Sequence, residues 1–188
     1  MESEQPWVSF IIPNYNRGSL LGVAISSVLR QTDPGWELII VDDGSTDETE
    51  VLVKGYKDSR IKYVKTENQE RGMARNTGVD LACGRFISFI DSDDYIMEHA
   101  VTKAVQCMKQ NPQWDIFHFG FEIRSENGKL LEKADSLPAL TNEILKHRNV
   151  IGCQGLFVRR EVIRLHPFST IKELSGTEDY ELWLRLAA

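Results

Sequence analysis

The sequence predicts an α/β fold: a mostly parallel β-sheet flanked by helices, with a smaller antiparallel region later in the chain. Three observations carry that expectation. Short β-branched apolar runs alternate with segments whose apolar residues recur at helical spacing, and four such strand–helix units precede Asn111. Successive units of this kind build a parallel sheet, because right-handed crossovers lay the helices on both of its faces. A chain of 188 residues with 41% hydrophobic content suits one domain with a sizeable core.

In chain order, "VSFII" (8–12) is a buried strand, followed by a helix carrying Leu21, Ile25, Val28 and Leu29. "ELIIV" (37–41) is the second strand, and Ser45-x-x-Glu48 has the form of a capping box for a helix reaching Tyr56. "IKYV" (61–64) is the third, followed by a helix with Ala74, Val79 and Leu81. "RFISFI" (85–90) is the fourth, and Met97, Val101, Ala104, Val105 and Met108 form one stripe of the next helix. After Asn111 the pattern changes. "DIFHFGFEIR" (115–124) reads as strand structure, and Asn127-Gly128 within Glu126–Lys129 signals a tight hairpin, so antiparallel additions are expected. A polar stretch through Pro138 leads to mixed helical segments, and Tyr180, Trp183, Leu184 and Ala187 share one face of a closing helix. Residues 1–94 read as one half and 95–188 as a second half packed on it.

Composition narrows the function classes. No run approaches the roughly 20 apolar residues that span a bilayer, and "MESEQPW" lacks the basic and apolar regions of a signal peptide, so a cytoplasmic location is expected. With 22 basic against 28 acidic residues, a duplex nucleic-acid partner is disfavoured, while small anions held through a metal remain open. Cys83, Cys107 and Cys153 are widely separated and form no CxxC pair, which reads as reduced thiols in a core.

The informative residues lie where strands end. In an open parallel sheet, ligands bind beyond the carboxyl ends of the strands. Strand one runs into Pro13-Asn14-Tyr15-Asn16, strand two into Asp42-Asp43-Gly44-Ser45, and strand four into Asp91-Ser92-Asp93-Asp94. Any one cluster is ordinary turn chemistry; three on one edge of one sheet point to a site. Carboxylates crowded together raise one another's pKa, and keeping them ionised calls for a compensating cation. Asp91-x-Asp93 can place hard oxygen ligands on one side of an extended segment, where Mg²⁺ or Mn²⁺ binds through one or two carboxylates and leaves room for phosphate oxygens. The chain has neither GxGxxG nor GxxxxGK[ST], so no Gly-rich loop cradles phosphates.

"VSFIIPNYN", "ELIIVDDGSTDET", "RGMARNTGVDLACGRFISFIDSDDY" and "GTEDYELWLRLA" together resemble the family 2 inverting glycosyltransferases of the GT-A fold, of the bacterial surface-polysaccharide type, in order across nearly the whole chain. The resemblance implies a single Rossmann-like GT-A domain over residues 1–188, with a nucleotide-sugar-binding half (1–94) and an acceptor-side half (95–188). Family members usually continue further, so Ala188 is expected to fall short of the family's usual C-terminal end. Also implied are a nucleotide-sugar donor, usually a UDP-sugar, Mn²⁺ or Mg²⁺, and a saccharide or lipid-linked acceptor, with peripheral membrane association left open.

Matched position by position, the resemblance puts Pro13 and Tyr15 along the nucleobase, with a surface turn aromatic as the plain alternative for Tyr15. Asp43 matches the residue that accepts from the base's imide N–H, while Asp42 supports the loop. Arg71 or Arg75 meets the base or diphosphate, and Arg75 has the alternative of pairing with a nearby Asp. Asp91 and Asp93 match DxD, with Asp93 the direct metal ligand, Asp91 turned toward the ribose or donor sugar, and Ser92 between them beside the donor. Asp94 reads as a charge at a helix N-terminus. Asp179 is the candidate base, with helix capping as its alternative role, Glu178 as the alternate base, and His166 and His147 behind them. Trp183 and Leu184 are expected to anchor the turn that aims Asp179. Two other classes stay open: a nucleotidyltransferase making nucleotide sugars, and a non-catalytic nucleotide-sugar-binding module.

Overall fold

A computed structural model of the chain describes residues 5–125, 127–135 and 141–187. The elements run β1 (Val8–Asn14), α1 (Gly18–Leu29), β2 (Trp36–Asp42), α2 (Thr49–Gly55), β3 (Ile61–Lys65), α3 (Glu70–Leu81), β4 (Phe86–Phe89) and α4 (Ala100–Gln110). There follow β5 (Ile116–His118), β6 (Phe121–Arg124), β7 (Leu130–Ala134), α5 (Thr141–Leu145), β8 (Leu156–Arg159), α6 (Arg160–Leu165) and α7 (Glu178–Ala187). Six strands form one sheet in the order β3-β2-β1-β4-β8-β5. The first four are parallel, as expected.

β1 and β2 read as unbroken buried runs because both of their faces are covered. The two-residue period of a strand then deals their side chains into two cores. Val8, Phe10, Ile12, Leu38 and Ile40 face α1 and α4 in one, where Leu21, Ile25, Val101 and Met108 meet them. Ile11, Ile39 and Val41 face α3, α6 and α7 in the other, with Val79, Ile163, Leu182 and Trp183.

The structure alters several local expectations. β8 inserts antiparallel between β4 and β5, so both halves of the chain share one sheet. The segment 115–124 is two strands broken at Phe119-Gly120: β5 joins the main sheet, while β6 pairs antiparallel with β7 in a separate ribbon. Gly128 in the connecting turn takes φ +81°, as the Asn-Gly signal requires; Glu126 and the stretch around Pro138 lie outside the described residues. Ser45 and Glu48 form no capping box. Instead Asp47 accepts from the Thr49 N–H at 3.1 Å, because α2 starts a turn later than the Ser45 signal suggests. Met97 precedes α4 and is exposed, and on α7 the buried pair is Leu182 and Trp183, with Leu184 turned outward. Cys107 is half-buried, Cys153 buried and Cys83 exposed, so the last is not a core thiol; all three are free.

α3 lies against β1 because Gly78 lacks a side chain: a Cβ there would stand 2.4 Å from Cγ2 of the fully buried Ile11. Overpacking of this kind costs about 1–3 kcal/mol, against about 1 kcal/mol gained in helix propensity when Gly becomes Ala. Gly78→Ala is therefore expected to lower the urea midpoint, and an unchanged or raised midpoint contradicts this packing.

Candidate active site

Parallel register brings the strand ends to one edge. Asn14 stands opposite Asp42, and Ile11 opposite Phe89, so the segments after β1, β2 and β4 emerge side by side. Short polar side chains then lace them. The Asn16 N–H donates to Ser45 Oγ at 2.9 Å, Asn16 Oδ1 accepts from the Thr46 N–H at 2.8 Å, and Asn14 Nδ2 donates to Thr49 Oγ1 at 3.0 Å. Asp42 is fully buried and supports the turn, accepting from the Ser45 N–H at 2.7 Å and from the Tyr63 hydroxyl at 2.5 Å. Gly44 completes the turn at φ +83°, a conformation most side chains avoid.

A cleft of about 710 Å³ opens at this edge. Of the residues expected to bind a nucleotide sugar or metal, Pro13, Tyr15, Asp43, Arg71, Asp91, Ser92 and Asp93 all line it. Tyr15 presents an exposed ring, whereas Ser92 is buried. Asp43 is buried as well, with Oδ1 accepting from the Gln69 N–H at 2.9 Å. Burial pushes its carboxyl above the ordinary aspartate range, although the Gln69 and Glu70 N–H groups pull the other way.

Arg75 is placed differently. It is buried, does not line the cleft, and takes the pairing left open for it: to Asp91 Oδ1 at 3.1 Å and to Glu178 Oε1. Glu178 is itself buried, and its Oε2 accepts from the Gly176 N–H at 2.6 Å. Burial pushes the Glu178 carboxyl up, but backbone donors of its own turn and the Arg75 guanidinium outweigh that and hold it below the usual range. Glu178 is thus a structural ion-pair partner. Asp179, half-buried at the start of α7, accepts at Oδ1 from the Tyr180 N–H at 2.7 Å and has Cys153 Sγ at 3.8 Å from Oδ2. It does not line the cleft, but Ser175 and Gly176 just before it do. His147 and His166 are exposed and stand outside the cleft lining.

The acidic rim is arranged around positive and amide partners. Arg17, which the motif reading passed over, reaches Asp93 Oδ2 at 2.5 Å. Gln154 Nε2 donates to Asp91 Oδ2 at 3.0 Å and to Asp94 Oδ2. Burial, with the neighbouring carboxylates of Asp91 and Asp93, pushes Asp94 up to about 6. Asp94 is not a helix N-terminal charge, since α4 begins at Ala100 and the Asp94 carboxylate turns to Gln154. Asn68, Glu70 and Gly176 also line the cleft without a sequence signal; Glu70 stands out only by its φ of +73°.

Among the described residues, no group of three or more His, Cys, Asp or Glu side chains is set to hold a metal by itself. Asp91 and Asp93 are nevertheless hard oxygen donors facing one cleft. That donor set fits Mg²⁺ or Mn²⁺, which bind through one or two carboxylates when phosphate oxygens complete the shell.

Residues 9–165 match the family model described as glycosyl transferase family 2. The chain is 36% identical to UDP-Glc:alpha-D-GlcNAc-diphosphoundecaprenol beta-1,3-glucosyltransferase WfgD of Escherichia coli, over 95% of its own length and 69% of that relative's. It is 33% identical to TuaG of Bacillus subtilis (strain 168), over 99% of this chain and 74% of TuaG. The crystal structure of S. aureus TarS 1-349 matches with a TM-score of 0.75 at 25% identity, covering 92% of this chain and 52% of that one. The chain therefore spans about half the length of that solved structure. Among the described residues no helix is long and apolar enough to cross a membrane.

Removing one partner of a buried ion pair leaves an uncompensated charge and costs about 3–5 kcal/mol. Arg75→Met is expected to destabilise the chain by that order, and Arg75→Met/Glu178→Gln to recover part of it, in denaturant melts. Because the folded pKa of Glu178 is depressed, its contribution is present above the ordinary glutamate range and lost as pH falls through the folded value. Glu178→Gln should accordingly flatten the acid limb of a stability–pH curve; an unchanged limb contradicts the pairing.

Proposed function

The chain belongs to glycosyl transferase family 2, and from that premise we propose that it moves a hexosyl or N-acetylhexosaminyl unit from a nucleotide sugar to a hydroxyl of a saccharide or lipid-linked acceptor, with inversion. The observation that carries this reading is the cleft at the carboxyl edge of the sheet, which gathers residues from three strand ends and from α3. A UDP-sugar as donor, and a lipid-diphosphate-linked saccharide as acceptor within surface-polysaccharide assembly, are supported by the name of the E. coli relative. On this reading the chain works in the cytoplasm and approaches a membrane peripherally when the acceptor is lipid-linked.

The residues divide the work. The exposed ring of Tyr15 offers a stacking face for the nucleobase, and the backbone at Pro13 lies beside it. Asp43, at the end of β2, accepts from the base's imide N–H. Arg71 offers a planar fork of donors to the diphosphate. Asp91, held by Arg75 and Gln154, faces the ribose or donor sugar next to Ser92. Asp93, with Asp91, would hold Mn²⁺ or Mg²⁺, whose Lewis acidity offsets charge gathering on the departing diphosphate. With Glu178 buried against Arg75, Asp179 is the carboxylate that takes the proton from the acceptor hydroxyl as it attacks the anomeric carbon. Attack on the face opposite the leaving group inverts that carbon.

A calorimetric screen of UDP-, GDP- and dTDP-sugars with and without Mn²⁺ tests the donor reading: UDP-sugars should bind, and more tightly with the metal. Asp93→Asn is expected to lose the metal-dependent part, and an unchanged titration removes Asp93 as the ligand. Asp179→Asn should keep donor affinity while transfer falls by roughly 10²–10⁴-fold, the usual contribution of a general base; full activity removes Asp179 from that role. Pyrophosphate release from a nucleoside triphosphate would instead indicate a nucleotidyltransferase, and donor binding without turnover a binding module.

A further inference from the structure

Two consecutive residues in the turn before β8 reach the two acidic motifs, although neither belongs to a motif. Cys153, buried, has its Sγ 3.8 Å from Asp179 Oδ2. Gln154 Nε2 donates to Asp91 Oδ2 at 3.0 Å and to Asp94 Oδ2. Asp91 is therefore held at both oxygens by different parts of the fold: Oδ1 by Arg75 from α3, Oδ2 by Gln154 from the β8 turn.

The same amide stands in a wall. Asp91 lines the cleft described above, whereas Gln154 and Asp94 line a second cavity of about 900 Å³ with Tyr95, Phe119 and Phe121. An amide suits this place for a chemical reason. It carries two N–H donors and no charge, so it can satisfy two carboxylates at once without neutralising either. A carboxylate in the same position has the same shape, but it brings no donors and a third like charge.

We propose that Gln154 is a positioning residue: its amide fixes Asp91 toward the donor and Asp94 toward the second cavity, so that the wall between the two cavities keeps its shape. The proposal rests on the nucleotide-sugar reading of the cleft. It ties a residue of the turn before the late antiparallel strand to the fidelity of a site built by the early parallel ones.

The test compares wild type, Gln154→Leu and Gln154→Glu by calorimetry with UDP and UDP-sugars, with and without Mn²⁺, alongside thermal melts. A hydrogen bond to a charged group corresponds to roughly a tenfold change or more in an equilibrium constant. Gln154→Leu should therefore weaken donor binding by about tenfold and also lower the melting temperature, because Asp91 and Asp94 both lose a donor. Gln154→Glu should weaken it further. The order Gln, then Leu, then Glu supports positioning by donated hydrogen bonds. A purely packing role gives the reverse order for the two variants, because Glu keeps the shape of Gln and Leu does not; that order, or wild-type affinity in both, overturns the proposal. Wild-type chain that binds no nucleotide sugar overturns the functional reading, and this proposal with it, whereas wild-type binding with the wrong variant order overturns this proposal alone.

Discussion

The site depends on one buried guanidinium. Arg75 sits under the cleft's edge with ion pairs to Asp91, at the end of β4, and to Glu178, at the start of α7. A charge with 2% exposure is tolerated only when its partners are fixed as firmly as it is. Its anchor is α3, which approaches the sheet closely at Gly78 and also packs beneath the chain at Ser169, where a Cβ on Gly72 would stand 2.2 Å from a carbonyl oxygen. Two acidic motifs far apart in sequence are thereby set in one frame by backbone packing. The Phe168 ring, 5.3 Å from the guanidinium carbon, closes that frame on its apolar side.

Around this frame, crowding of negative charge explains the choice of partners. Asp91, Asp93 and Asp94 lie within four consecutive positions, and each is met by a different kind of group: a buried arginine with an amide, an arginine exposed at the rim, and an amide alone. The grading follows exposure. The carboxylate nearest solvent, Asp93, takes the partly exposed partner Arg17, and surface pairs of this sort are worth about 1 kcal/mol or less. A cationic ligand competes with Arg17 at little cost. Asp91, by contrast, has its direction fixed by Arg75 and Gln154.

Much of this was legible from the residues. The mostly apolar runs of β1 and β2 and the helical stripes of α1 and α4 announce themselves, because burial on both sheet faces admits few polar positions, and the two inside the runs, Ser9 and Glu37, hydrogen-bond each other across the strands. The three polar strand ends were readable because polarity begins where each apolar run ends, even though Asn14, Asp42, Asp43 and Ser92 stay buried there. What escaped is non-local. Nothing in "GCQG" says that Gln154 will face Asp91, since a single glutamine carries no period and its partners lie sixty residues upstream. Arg17 escaped for a similar reason, as did the pairing of Arg75 with Glu178, whereas its pairing with a nearby Asp was already open. β8 is four residues long, and its antiparallel insertion is decided by the open edge of β4 rather than by its own composition.

That insertion has a kinetic side. Phe86 of β4 pairs with Arg159 of β8, so one flank of the parallel sheet has no neighbour until a much later stretch of chain exists. During synthesis the first four strands can assemble while their outer ladder stays open, and an open apolar ladder is a template for pairing with another chain. Contacts of such long range close slowly, because the intervening loop entropy is paid before they form. Nascent chains are thus most exposed to mispairing in the interval between emergence of β4 and of β8.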